Sequence, residues 1–228
     1  EYSFKHSVTP SLFLSGDFID YFSITHDKIG FYLADVSGHG ASSAFVTVLL
    51  KSLIEQSYAR FQVHGDKTIC TPEHLMEEVS SEIHSAKLGK YLTMVYGVID
   101  LNTHQCTYGV GGHYPNPLLI SERANGGASY VAGDGFPVGI MKSVTYKEHT
   151  LEIPRGGHLV MFSDGVMEIL MPDSSMKEKD DALLELMMET RDDVPKLLEK
   201  LGITDDSEQP DDITILVVSR LEEGAEPP

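Results

Sequence analysis

Four short acidic motifs hold the residues of this chain best suited to chemistry: Ser15-Gly16-Asp17, Asp35-Val36-Ser37-Gly38-His39-Gly40, Ser163-Asp164-Gly165 and Asp211-Asp212. Each adjoins an apolar run that reads as a β-strand, such as FYLAD before the second and HLVMF before the third. A carboxylate at the end of a buried strand is costly unless it is paired or bound to a cation. No Lys or Arg lies within five residues of Asp35 or Asp164. Several such carboxylates, far apart in sequence, point to convergence on hard divalent cations, which take oxygen ligands. The chemistry that follows is that of a metal-dependent enzyme. Taken singly, each motif is also an ordinary turn or capping sequence.

The elements that must position these motifs are legible in the patterning. FIDYFSI (18–24) and KIGFYLADV (28–36) alternate and are joined by Thr25-His26-Asp27, a hairpin pattern. After Gly40, ASSAFVTVLLKSLIEQSY reads as a helix with apolar positions at Phe45, Val48, Leu49, Leu53 and Ile54. Thr71 and Pro72 suit the N-cap and first position of a second helix to about Lys87. Its stripe of Leu75, Met76, Val79 and Ile83 would cover a sheet or meet a partner. Strand follows strand from Tyr91 to Ile153, HLVMFSD adds another, and DDALLELMMET and DVPKLLEKLG form two short amphipathic helices. Asp212 to Ser219 is the last strand, and residues 221–228 read as a tail. Antiparallel strands with helices in separate blocks indicate an α+β fold.

Composition narrows the function classes. The 17 basic and 35 acidic residues among 228 give a net charge of −18, which argues against sequence-independent nucleic-acid binding. Cys70 and Cys106 show no zinc spacing; they could make one disulfide, but read rather as reduced core thiols of a cytoplasmic protein. No apolar run approaches the roughly 18 residues of a membrane span. The chain begins without Met, as expected of a domain cut from a longer protein. There is no GxSxG elbow for a Ser-His-Asp hydrolase, and Ser163-Asp164-Gly165 lacks the Gly-rich loop of a kinase.

GDFIDYF, LADVSGHGASSAF, LTMVYGVID, GGHYPNPLLI, GFPVGI, LVMFSDGVMEI and QPDDITILVV follow one another in an order that resembles the protein phosphatase 2C superfamily, in particular its bacterial stage II sporulation E-like branch. The resemblance spans residues 12–219 and implies one phosphatase domain over residues 1–220. It implies an αββα sandwich, in which two packed antiparallel sheets are flanked by helices on both faces. It also implies a site for two Mn²⁺ or Mg²⁺ ions and hydrolysis of phosphoserine or phosphothreonine by a metal-bridging water. Asp35 matches the bridging carboxylate and the Val36 carbonyl an oxygen ligand of one ion. Asp164 and Asp211 match the carboxylates completing the other ion, and Asp17 an acidic residue acting through a metal-bound water. Gly38 and Gly40 would let the backbone turn behind Asp35. Glu168 matches a position linked to a third metal in eukaryotic members, with a helix-start carboxylate as the alternative. Asp20 is a candidate for the surroundings of the metals, or an exposed strand residue.

Two departures from the eukaryotic pattern matter. The general-acid His two residues after the bridging Asp is here Ser37; His39 could serve instead, or a metal-bound water could. No phosphate-binding Arg lies near the first motif, where the nearest upstream cation is Lys5. His113, between glycines and Pro115, suits a turn-structuring role. The implied substrate is a phosphoprotein resembling an anti-anti-sigma factor, with a fused or associated sensor or receiver domain, in bacterial signal transduction. A pseudophosphatase acting as a binding or sensory module and a small-phosphoester phosphatase are the competing functions.

Overall fold

A computed structural model of the chain describes residues 1–11, 15–38, 40–122, 127–204 and 209–222. In chain order the strands are β1 (Tyr2–Thr9), β2 (Asp17–Thr25), β3 (Lys28–Val36), β4 (Leu92–Asp100), β5 (Gln105–Gly111), β6 (Leu118–Ile120), β7 (Ala128–Tyr130), β8 (Glu148–Glu152), β9 (His158–Phe162) and β10 (Ile213–Arg220). The helices are α1 (Ala41–His64), α2 (Pro72–Ala86), α3 (Gly165–Ile169), α4 (Met176–Thr190) and α5 (Val194–Lys200). They form two compact units.

One unit comprises Leu12–His113 and Ala132–Glu152. Its antiparallel sheet has the order β2-β3-β4-β5-β8. The expected hairpin is present, with Asp17 to Ser23 of β2 in continuous register against β3. One face of the sheet, including Tyr32, Ala34 and Tyr96, packs with Val46, Leu50 and Ile54 of α1 and with Leu75, Met76, Val79 and Ile83 of α2. The α2 stripe therefore covers this unit's own sheet. Alternate residues on the other face, Phe31, Leu33 and Val95, are buried as well. Burial on both faces explains why FYLA reads as an unbroken apolar run.

One helix expectation needs correction. α1 buries Ser43, Val46, Thr47, Leu50, Leu53, Ile54 and Ser57, whereas Phe45 and Val48 are 73% and 66% exposed. Apolar residues surround this helix, so small and hydroxyl side chains, not hydrophobicity alone, mark its packed face. Thr71 is the N-cap of α2 but makes no side-chain capping bond; its hydroxyl donates to the Lys67 carbonyl instead.

The other unit comprises Glu1–Ser11, Tyr114–Val131 and Ile153–Pro228. Its antiparallel sheet runs β1-β10-β9-β6-β7. Leu118, Val160, Phe162, Ile213 and Ile215 pack with Val166 of α3, Leu183 and Met187 of α4 and Leu197 of α5. α4 begins earlier than expected because Ser175 and Glu178 form a reciprocal capping box. β1 and α3 add to the expected elements. Cys70 and Cys106 are both free thiols, and burial pushes the Cys106 thiol far up.

Candidate functional site

Asp17 opens β2 and stands directly opposite Asp35 of β3. The Val36 amide donates to the Gly16 carbonyl at 3.2 Å. Gly16 and Val36 thus form a hydrogen-bonded rung, and Asp17 and Asp35 occupy the neighbouring non-bonded rung, where opposite side chains stand closest. Like charges in such a pair weaken the ladder, and Asp17 is only 6% exposed. A divalent cation reverses that cost by giving both carboxylates an opposite charge.

Backbone oxygens gather at the same corner. A Cβ built on Gly16 would stand 3.0 Å from the Val36 carbonyl oxygen and 3.2 Å from that of Gly38. The bare glycine leaves this corner open. Gly38 and Gly40 adopt positive φ values of 74° and 81°, consistent with their expected turn role. The loop is then pinned from outside. Ser37 donates its amide to the Tyr91 carbonyl at 2.9 Å, and Ser43 of α1 donates its hydroxyl to the Gly38 carbonyl at 2.7 Å. Lys90 Nζ donates to the Ser37 carbonyl at 2.7 Å. Lys90 is invisible to a local reading because it is 53 residues from Ser37 in sequence.

Side chains further along the rung join the same row. Thr93 of β4 lies across from Asp35, and its hydroxyl shares a 3.0 Å hydrogen bond with Nδ1 of the buried His113. A Thr inside the apolar run LTMVYGVID was the available signal. Asp20 lies three residues beyond Asp17 and so projects from the opposite face of β2. There it is ion-paired to Lys51 of α1 and accepts from the Tyr21 amide at 2.9 Å. His39, the candidate acid, lies outside the described residues.

In the other unit, Asp164 sits between β9 and α3 without making a side-chain cap. Burial raises its pKa, and the charges of Asp211 and Glu168 raise it further. These three carboxylates therefore lie within each other's field. Ser163 ties their supports together: its amide donates to the Thr214 carbonyl at 2.9 Å, and its hydroxyl accepts from the Thr214 amide at 2.8 Å and donates to the Asp212 carbonyl at 3.1 Å. Asp211 accepts from the Asp212 amide at 2.8 Å. Asp212 points elsewhere, its carboxylate accepting from the Ser11 amide at 2.7 Å and hydroxyl at 2.9 Å. Lys5 is ion-paired with Asp192 at 2.6 Å.

The donor chemistry suits a hard divalent ion, being carboxylate and carbonyl oxygen with no thiolate. Among the described residues, no three His, Cys, Asp or Glu side chains are grouped tightly enough to hold an ion alone. The Val36 carbonyl and solvent oxygens would have to complete a shell built on Asp17 and Asp35, and solvent oxygens one built on Asp164 and Asp211.

The fold is that of a protein phosphatase 2C domain. The PP2C phosphatase domain of SpoIIE from Bacillus subtilis, solved with a fragment of its regulatory domain, matches with a TM-score of 0.76 at 19% identity, covering 96% of this chain and 63% of that one. The model of the stage II sporulation protein E (SpoIIE) family matches residues 25–221, and the chain belongs to that family. Two relatives in Bacillus subtilis (strain 168), the phosphoserine phosphatases RsbP and RsbU, are each 26% identical to it. The RsbP match takes in 68% of this chain and 37% of the relative; the RsbU match takes in 92% and 61%. The chain thus spans less than two thirds of the length of either relative. No helix among the described residues is long and apolar enough to cross a membrane.

Proposed function

We propose that residues 1–220 are the catalytic domain of a metal-dependent protein serine/threonine phosphatase, with 221–228 as a tail. The observation that carries this is the SpoIIE-family match over residues 25–221, which takes in Asp35, Asp164 and Asp211. Relatives named as phosphoserine phosphatases support it, as do the opposed Asp17 and Asp35 and the raised pKa of Asp164. Two Mn²⁺ or Mg²⁺ ions would draw their protein ligands from Asp17, Asp35 and the Val36 carbonyl and from Asp164 and Asp211. Bound there, two divalent ions supply a water acidified to near-neutral pKa and neutralise phosphoryl charge. Glu168 stands as the candidate ligand for a third ion.

The chain's own residues keep these groups in place. Ser43 and Lys90 fix the carbonyls behind Asp35, so the Val36 oxygen and the Asp35 carboxylate present together. Ser163 fixes the turn that carries Asp164. Asp20 contributes indirectly, by setting α1 against β2 through Lys51. The substrate we infer is phosphoserine or phosphothreonine on a cytoplasmic regulatory protein resembling an anti-anti-sigma factor, with a sensor or receiver domain controlling the activity.

The test is turnover of a phosphoserine protein with and without Mn²⁺. Activity should require the metal and fall by at least about a hundredfold in Asp35→Ala and in Asp164→Ala, since each removes a charge-stabilising ligand, with circular dichroism retained. Normal turnover in both variants would overturn the assignment. Hydrolysis of p-nitrophenyl phosphate alone would replace the protein substrate with a small ester, and absence of both turnover and metal binding would leave a binding module.

A further inference from the structure

The chain has five arginines, and three of them, Arg155, Arg191 and Arg220, line one cavity of about 520 Å³. That concentration stands out in a protein of net charge −18. We propose that this cavity is a binding site for a small phosphate-bearing anion, distinct from the carboxylates assigned to catalysis. It opens at the end of β9 and β10 opposite to Asp164 and Asp211. The eight residues of β10 place Arg220 about 24 Å along the strand from Ile213.

The arginines are held by backbone built around the cavity. Arg155 is at the tip of a turn closed by the Gly157 amide donating to the Pro154 carbonyl at 2.8 Å. That turn is stitched to β10: the Gly156 amide donates to the Arg220 carbonyl at 2.9 Å, and the Arg220 amide to the Gly157 carbonyl at 3.0 Å. Arg220 is 6% exposed, and its Nη1 donates to the Ile153 carbonyl at 3.0 Å. Arg191 terminates α4 with φ 53° and ψ −111°, a region unfavourable to any residue with a Cβ. A glycine would end the helix at lower cost. A cation near a helix C-terminus gains some dipole energy, but that gain does not require this backbone. The Arg191 guanidinium has no hydrogen bond or ion pair among the described residues, so its donors remain available to a ligand.

Charge favours an anion. Glu122, Asp192 and Glu222 also line the cavity, but Asp192 is already paired with Lys5 at 2.6 Å. Lys5 thus neutralises one of the three lining acids, while Arg191 keeps its donors for a ligand. His158 on the wall hydrogen-bonds Ser219 Oγ through Nδ1 at 2.8 Å. Guanidinium forks match phosphate oxygens in paired, charge-assisted hydrogen bonds, and the volume falls within the roughly 300–1,000 Å³ of small-ligand sites. Phosphate is therefore the group recognised, either as the free ion or on a nucleotide.

Calorimetric titration of the domain in EDTA tests this, because without metal the catalytic carboxylates offer no phosphate site. The probes are inorganic phosphate and adenosine 5′-monophosphate. Saturable one-site binding is expected, weakened at least about tenfold in both Arg155→Ala and Arg191→Ala, as loss of a charge-assisted pair implies. Both side chains are exposed, so the variants should keep the wild-type circular dichroism. Tighter binding of the nucleotide would assign the cavity to nucleotides, and equal binding would show that the phosphate group alone is read. No saturable binding of either probe, or binding indifferent to both substitutions, would overturn the proposal. The outcome is independent of whether the domain is a phosphatase.

Discussion

Single carboxylates in this protein are placed at a cost to the fold. Burial and the neighbouring charges of Asp211 and Glu168 raise the pKa of Asp164. A carboxyl group with a raised folded pKa contributes stability below its ordinary value of 3.8, and that stability is lost as pH rises through the raised value. At neutral pH the ionised group is therefore a liability to the metal-free protein. Asp164→Asn should melt a few degrees above wild type at pH 7 in EDTA, by thermal denaturation followed by circular dichroism. A lower melting temperature would show that hydrogen bonds to the carboxylate outweigh its repulsion. The same logic made the acidic motifs legible in sequence: a charge next to an apolar strand, without a nearby cation, needs an external reason. What sequence could not show is the support given by Lys90 and the pairing of Thr93 with His113, because those contacts join residues 53 and 20 apart in the chain.

Among the elements, the paired ends of two hairpins form a polar clasp. Asp100 ends β4 and is ion-paired with Lys28 of β3, while Asn102 reaches the Asp27 carboxylate at 2.9 Å. The Lys28 hydrogen bond, helped by the Thr103 and Asn102 amides and opposed by burial, holds the Asp100 pKa down at about 2. A depressed carboxylate stabilises the fold above its ordinary 3.8 and loses that contribution as pH falls toward about 2. Urea unfolding across this range should show Asp100→Ala to be less stable than wild type at pH 7 and less steeply weakened by acid. Identical slopes would remove Asp100 from the acid response. Most strands were legible because alternation and turn residues bracket them. β1 was not, since Lys5 and His6 interrupt YSFKHSVT and its pairing partner, β10, lies at the far end of the described chain. The packed face of α1 was missed for another reason: Phe45 and Val48 carry more hydrophobicity than the Ser43 and Thr47 that are buried.

Across the whole molecule, a charge of −18 acts against compaction. Raising NaCl from about 10 mM to about 150 mM shortens the screening length from roughly 30 Å to 8 Å, so the melting temperature should rise. A flat or falling response would mean that local ion pairs, which salt weakens, dominate the long-range repulsion. Topology also imposes an order in time. β10 is an interior strand of its sheet, between β1 and β9, yet it is the last of the described strands to be synthesised. The unit ending at Glu152 can form while β10 is still on the ribosome, since domains generally fold as units as they emerge. Until Ile213 and its successors arrive, β1 has no strand partner in its sheet and β9 lacks one along one edge, and open edges template aggregation. A translation product released before Ile213 would therefore meet the cell as insoluble protein before it could be judged as a weak enzyme.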